Sequence, residues 1–237
     1  MSDLDLAFEC LDARPDPYAA APALVFRLRI TEGTGARVGA IALRCQLRIE
    51  PQRRAYGEAE TPLLQDLFGT PDRWGETLKP LQLALVSVMV PGFRDAVEVD
   101  VPVPCSYDLD VAAAKYFAAL GDGEVPLLLL FSGTVFGGGG GAGGAGVRQI
   151  PWDRETRHRL PVAVWRELMD RYFPGTGWLR LRRDTLAGLQ RFKSARTLAT
   201  WDEVMSALLD EAASSEAPGQ APGPARQQAG PPVEAGR

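Results

Sequence analysis

A chain with one histidine can do imidazole chemistry in one place, and here that is His158, set between Arg157 and Arg159. The conceivable nucleophiles are the Cys105 thiol and the Ser132 hydroxyl in Phe131-Ser-Gly-Thr134. Nucleophilic catalysis needs the base within hydrogen-bond reach and a further group to orient it. Sequence leaves those distances open, so a hydrolase using Cys105 or Ser132 with His158 stands as one alternative. Asp108-Leu-Asp110 and Asp122-Gly-Glu124 could bring carboxylates together for calcium or acid–base work. Neither has EF-hand spacing, and helix capping and turn formation account for both pairs. Cys10, Cys45 and Cys105 lie far apart within apolar alternation rather than in C-x-x-C pairs, and read as small buried hydrophobes. No metal and no cofactor is expected from such a set.

The tract Gly137–Gly146 contains G-x-G-x-x-G after an apolar run. A dinucleotide fingerprint must open a helix, whereas Val147-Arg-Gln-Ile-Pro-Trp152 reads as extended, so the tract is expected to be a loop tip. A stronger feature is charge. The chain carries a formal net charge of −4, yet residues 147–196 hold 12 Lys/Arg against 5 Asp/Glu, leaving −11 for the remainder. Arginines in that flank interleave with Trp152, Trp165 and Trp178, a combination suited to bidentate contacts with carboxylate or phosphate and to stacking. Arg180, Arg182, Arg183, Trp178, Trp152 and Arg154 are the expected partner-binding residues. An acidic protein is the expected partner; nucleic acid is not, because the chain is acidic as a whole and no nucleic-acid motif occurs. A small-ligand or sugar site built from Trp74, Trp152 or Trp178 is a further alternative.

The elements that position these residues are mostly strands. Leu4–Cys10, Leu24–Ile30, Ile41–Ile49 and Val97–Val103 alternate apolar and polar positions with period two. Arg27, Arg29, Arg44 and Arg48 fall on polar faces, where Glu98 and Asp100 can pair with them across strands. Leu81–Val90 is another strand, and Val125–Phe136 is apolar at both phases, which predicts a central strand covered on both sides. A short helix is predicted over Leu63–Phe68 and another from Asp110 to Leu120. Beyond Trp152 the period moves toward 3.6, with helices opening near Pro161, Asp184 and the capping box Thr200-Trp-Asp-Glu203.

The reading is therefore a mainly β, α+β chain: an antiparallel β-sandwich of about seven strands with inserted helices over 1–153, a helical region over 154–212, and a disordered tail over 213–237. The opening residues are acidic and no apolar stretch reaches membrane-spanning length, so a cytoplasmic protein without a membrane partner is expected.

Four segments carry a resemblance: Leu43-Arg-Cys-Gln-Leu-Arg-Ile-Glu-Pro-Gln-Arg-Arg54, Val125–Phe136, Leu160-Pro-Val-Ala-Val-Trp165 and Phe173–Asp184. Over residues 4–210 the chain resembles an uncharacterised bacterial family of unknown function. The resemblance implies gene neighbourhoods of nickel-iron hydrogenases and their maturation factors, and supplies no catalytic residues. Its implication is a non-catalytic accessory or interaction protein, with hydrogenase assembly as the setting.

Overall fold

Period-two alternation over ten residues buries one face of a strand and leaves the other wet, so two such faces must meet. The computed structural model describes residues 5–106, 108, 111–137, 146–177 and 179–216, and shows two antiparallel sheets. One has the order β1 (Leu6–Pro15), β2 (Ala23–Glu32), β5 (Ala96–Pro104). The other has β4 (Leu81–Val90), β3 (Ala40–Ile49), β6 (Glu124–Phe136) and β7 (Val147–Gln149), with β8 (Glu155–Pro161) pairing the opposite end of β6. Leu24, Phe26, Leu28 and Ile30 of β2 are fully buried, as are Ile41, Leu43, Cys45, Leu47 and Ile49 of β3. Phe8 and Phe131 stack across the layers with ring centroids 4.2 Å apart. The expected antiparallel sandwich is the fold.

Between β3 and β4 the chain inserts α1 (Thr61–Phe68) and the short α2 (Trp74–Thr77); between β5 and β6 it inserts α3 (Ala112–Ala119). Pro62 sits in the first turn of α1, and Gly69 ends it at φ 72°, a conformation glycine adopts without a Cβ penalty. The Asp110 cap expected for α3 lies outside the described residues, as does residues 138–145 of the glycine tract.

Beyond residue 153 the structure departs from the helical expectation. Residues 155–161 form the eighth strand, and only at Pro161 does α4 (Val162–Tyr172) begin. Trp165 of α4 stacks on Phe117 of α3 at 4.1 Å. Contacts divide the chain into a unit ending at Arg180 and a second from Leu181, so the break comes later than 153. The second unit contains α5 (Arg183–Ala195) and α6 (Trp201–Glu216). Arg182, not Asp184, occupies the N-cap of α5. The capping box of α6 forms as its spacing predicts: the Glu203 amide donates to Thr200 Oγ1 at 3.1 Å and Glu203 Oε2 accepts from the Ala199 amide at 2.6 Å. Residues 213–216 continue α6, while the rest of the expected tail, 217–237, lies outside the described residues.

The outer row of β6 is less covered than its apolar run predicts. Its inward row, Val125, Leu127, Leu129 and Phe131, is buried, but Leu128 and Leu130 on the outer row are only half-buried. Register sets Leu128 between Arg48 and Arg157, and Leu130 between Gln46 and Glu155. Aliphatic stems of long polar side chains flank these leucines in place of a further layer.

Candidate functional site

The two outer sheet faces begin from the same pattern, two arginines on the outward row of an inner strand, and end differently. On the three-stranded sheet Arg27 opposes Asp100 and Arg29 opposes Glu98. Arg29 Nη2 lies 2.7 Å from Glu98 Oε1 and 3.7 Å separates its Nη1 from Glu9; Arg27 Nε is 3.5 Å from Asp100, which also takes Arg14 at 2.9 Å. Exposed pairs of this kind contribute little stability, but they cancel the field of the face. On the five-stranded sheet Arg44 is flanked across the ladder by Ser87 and Ser132, and Arg48 by Gln82 and Leu128. Among the described residues neither arginine has an ion-pair partner.

Around them the face is mixed rather than simply wet. Leu85 is 52% exposed and Met89 67%, both on the outward side of β4. A hollow of about 580 Å³ runs over Ala42, Arg44, Ser87, Met89, Ser132 and Gln149. Further along the same sheet, a hollow of about 290 Å³ is walled by Glu50, Arg53, Pro126, Arg157 and Arg159. There the charges are balanced: buried Glu50 Oε2 sits 3.0 Å from Arg53 Nε and 3.5 Å from Arg157 Nε, Arg157 Nη1 is 3.2 Å from Glu155, and Arg159 is 3.8 Å from Glu124. On this face, among the described residues, the arginines without an acid beside them are therefore Arg44 and Arg48, near exposed leucine and methionine. Arginine with apolar neighbours is the composition of protein interfaces.

The residues expected to bind a partner are divided by the fold. Trp152 stands 93% exposed in the turn between β7 and β8. Arg154 closes that turn: its carbonyl accepts the Phe131 amide at 2.9 Å, and its side chain is 3.3 Å from Asp5 and 3.9 Å from Asp153. Trp178 lies outside the described residues. Arg180 ends the first unit and is itself engaged in an interaction, whereas exposed Arg182 and Arg183 open the second unit.

The hydrolase constellation is not assembled. His158 faces inward on β8, its ring edge-on to Phe26 at 6.1 Å, and desolvation lowers its pKa. Ser132 points outward, and the residue of β6 paired with His158 is Leu127, five positions and roughly 17 Å along the strand. Cys105 follows the far end of β5; Phe26, beside His158, pairs with Val101, roughly 13 Å back along that strand. Burial pushes the Cys105 thiol up to about 12, away from the reactive thiolate. Trp74 is committed to packing, edge-on to Tyr56 at 5.4 Å with its indole N–H on the Gly69 carbonyl. Asp122 offers its carbonyl to Arg54, and Glu124 faces Arg159. Among the described residues no group of three or more His, Cys, Asp or Glu comes together as a metal site.

A polar cluster without a sequence signal does form where the insertion meets α3. Glu60 accepts both terminal nitrogens of Arg54 at 2.8 Å, and the amides of Gly121 and Gly57 at 2.7 and 3.1 Å. The guanidinium, together with those amides, pulls the Glu60 carboxyl down to about 2. Arg54 also lies over the Tyr56 ring at 5.1 Å, and the Tyr56 and Tyr116 hydroxyls are 2.8 Å apart. Glu60 is buried and its donors converge on it from the insertion and from Gly121, so the cluster holds the insertion against the α3–β6 turn.

An antiparallel two-layer sandwich with an open, arginine-bearing sheet face defines a β-rich α+β protein in which His158 stands apart from Cys105 and Ser132. The chain belongs to the family of unknown function DUF6084, whose model matches residues 2–217. Among solved structures it is similar to a protein from Archaeoglobus fulgidus at 6% identity, covering 66% of this chain and 97% of that one, with a TM-score of 0.26. A β-glucosidase from Kluyveromyces marxianus matches at 9% identity over 67% of this chain and 16% of that one, with a TM-score of 0.21. Among curated proteins no relative matches the chain.

Proposed function

We propose that this chain is a non-catalytic interaction protein, and that the outer face of its five-stranded sheet docks an acidic protein surface. The observation that carries the reading is the contrast between the two sheets: Arg27 and Arg29 are neutralised by Glu98 and Asp100, while among the described residues Arg44 and Arg48 have no acid partner and lie beside exposed Leu85 and Met89. Unpaired arginines at an apolar patch gain most from a partner that brings carboxylates, because the pairs then form in a desolvated setting. The partner suggested by the family resemblance is a nickel-iron hydrogenase subunit or maturation factor, and that is the candidate to test first. The set Arg180, Arg182 and Arg183 offers a competing surface.

The experiment is co-purification of the native chain from its own extract, with two charge-reversed forms alongside. Reversing Arg44 and Arg48 to Glu is expected to remove a stoichiometric partner, while reversing Arg180, Arg182 and Arg183 leaves it bound. The opposite pattern moves the site to the chain's C-terminal part, and a native chain that holds no stoichiometric partner defeats the proposal.

A further inference from the structure

Sheet edges expose unpaired N–H and C=O groups, and proteins guard them with charge, proline, bulges or brevity. Four of the five terminal strands here are guarded. β1 carries Glu9, Asp12 and Arg14; β5 has Glu98, Asp100, Pro102 and Pro104; β8 alternates Glu155, Arg157 and Arg159; β7 is three residues long. β4 is the exception over most of its length. Its ten residues, Leu81-Gln-Leu-Ala-Leu-Val-Ser-Val-Met-Val90, contain no charge and no proline. One irregularity falls near Leu83, where the register with β3 shifts, and Ala84–Val90 then runs straight. Among the described residues no backbone hydrogen bond leaves the side of β4 away from β3.

The side chains agree with an unfinished edge. Inward-facing residues of β3 are fully buried, yet Val86 and Val88, their neighbours on β4, are half-buried. Another strand alongside would cover them. On the outer face the same strand would adjoin Leu85, Ser87 and Met89, with Arg44 one strand further in, opposite Ser87. Two strand spacings are about 10 Å, a span that an extended arginine and a glutamate cover together across a serine.

We infer that β4 accepts an extended acidic segment of the partner as an additional strand. Apolar side chains of that segment would cover Val86 and Val88, and acidic ones would meet Arg44 and Arg48. This rests on the docking face proposed above and deepens it by naming how the partner binds: main-chain bonds give affinity and alternate side chains give selectivity. A second copy of this chain would satisfy the same edge, but its own β4 brings no acid and its β3 adds two more arginines to the face. Charge complementarity therefore selects the acidic segment.

The test uses the full chain and a fluorescent peptide of roughly nine alternating Glu and Val residues, a length that spans β4 from Gln82, opposite Arg48, to Val90. Two derivatives carry N-methyl groups on all Glu amides or on all Val amides, which point to opposite edges of an extended peptide. The parent is expected to bind, one methylated form to lose about tenfold or more, and the other to stay within about twofold. Arg44→Glu with Arg48→Glu should also lose about tenfold, and hydrogen exchange should slow at residues 84–90 when peptide is added. Equal binding of both methylated forms overturns strand addition while leaving face docking intact. Binding that depends on one methylated edge but ignores the arginine reversal overturns the acidic occupant and the docking proposal with it. Failure of the parent to bind, or protection of 84–90 that grows with protein concentration alone, overturns the inference, the latter in favour of a second copy.

Discussion

Glu60 shows how one buried acid is made tolerable. Its carboxylate meets the fork of Arg54 and two backbone amides, so its charge is spread over four donors. Removing one member of such a buried pair leaves the other desolvated and alone, which costs about 3–5 kcal/mol. Glu60→Gln is expected to lower unfolding stability by about 3 kcal/mol in urea titrations. The pH dependence has a definite sign. The folded-state pKa is about 2, below the usual carboxylate range, so this acid's contribution is complete above about pH 5 and is lost as pH falls toward 2. Glu60→Gln should flatten that acid limb without changing stability differences between pH 6 and 8. Burial pushes Cys10, Cys45 and Cys105 up to about 12. At pH 8 the native chain should therefore react with iodoacetamide about a hundredfold more slowly than the guanidinium-unfolded chain, as read by mass spectrometry.

At the scale of elements, β3 and β6 lie close enough at one point that only glycine fits. Gly133 has φ 144°, and a Cβ there would stand 2.1 Å from the Ala42 carbonyl oxygen. Since that oxygen belongs to the ladder of the neighbouring strand, the backbone itself would have to move. Gly133→Ala is expected to cost about 3 kcal/mol or more, against less than about 1 kcal/mol for Gly57→Ala, where nothing lies within 4 Å; thermal unfolding of the two variants checks the contrast. Strands with clean alternation, β2, β3 and β5, were legible because burial on one face writes itself into every second residue. β8 was not, because Thr156 and His158 occupy its half-buried positions and Glu155, Arg157 and Arg159 the outer ones. Its inner row lacks the apolar signal until Leu160, so the segment resembles a solvated connection. The arginine rows were visible too, but not which of them would be neutralised. That depends on β5 pairing with β2 while β3 takes β4 and β6, a choice made by contacts far apart in sequence.

For the whole molecule, the division at Arg180 makes a prediction about folding. The hydrophobic core cluster draws its residues from Leu6 to Met169, with Tyr172 and Phe173 packed at its margin, so a chain ending at Arg180 keeps every side chain of that cluster. Chain stability follows buried apolar area. The shortened chain is therefore expected to unfold cooperatively with a midpoint within about 4 °C of the full chain, a shift corresponding to about 1 kcal/mol or less for a domain of this size. Near-UV circular dichroism should retain the signals of Trp74 and Trp165, whose rings pack on Tyr56 and Phe117 within the first unit. The complementary fragment from Leu181 contains two helices of 13 and 16 residues, lengths that are marginal in water without a larger apolar surface to bury. It should show weak, non-cooperative helicity that fades steadily on heating. A midpoint more than about 10 °C lower for the shortened chain would refute this expectation. The docking face would be unaffected by either result, since Arg44, Arg48 and the whole of β4 belong to the first unit, and peptide binding by the shortened chain should match that of the full chain.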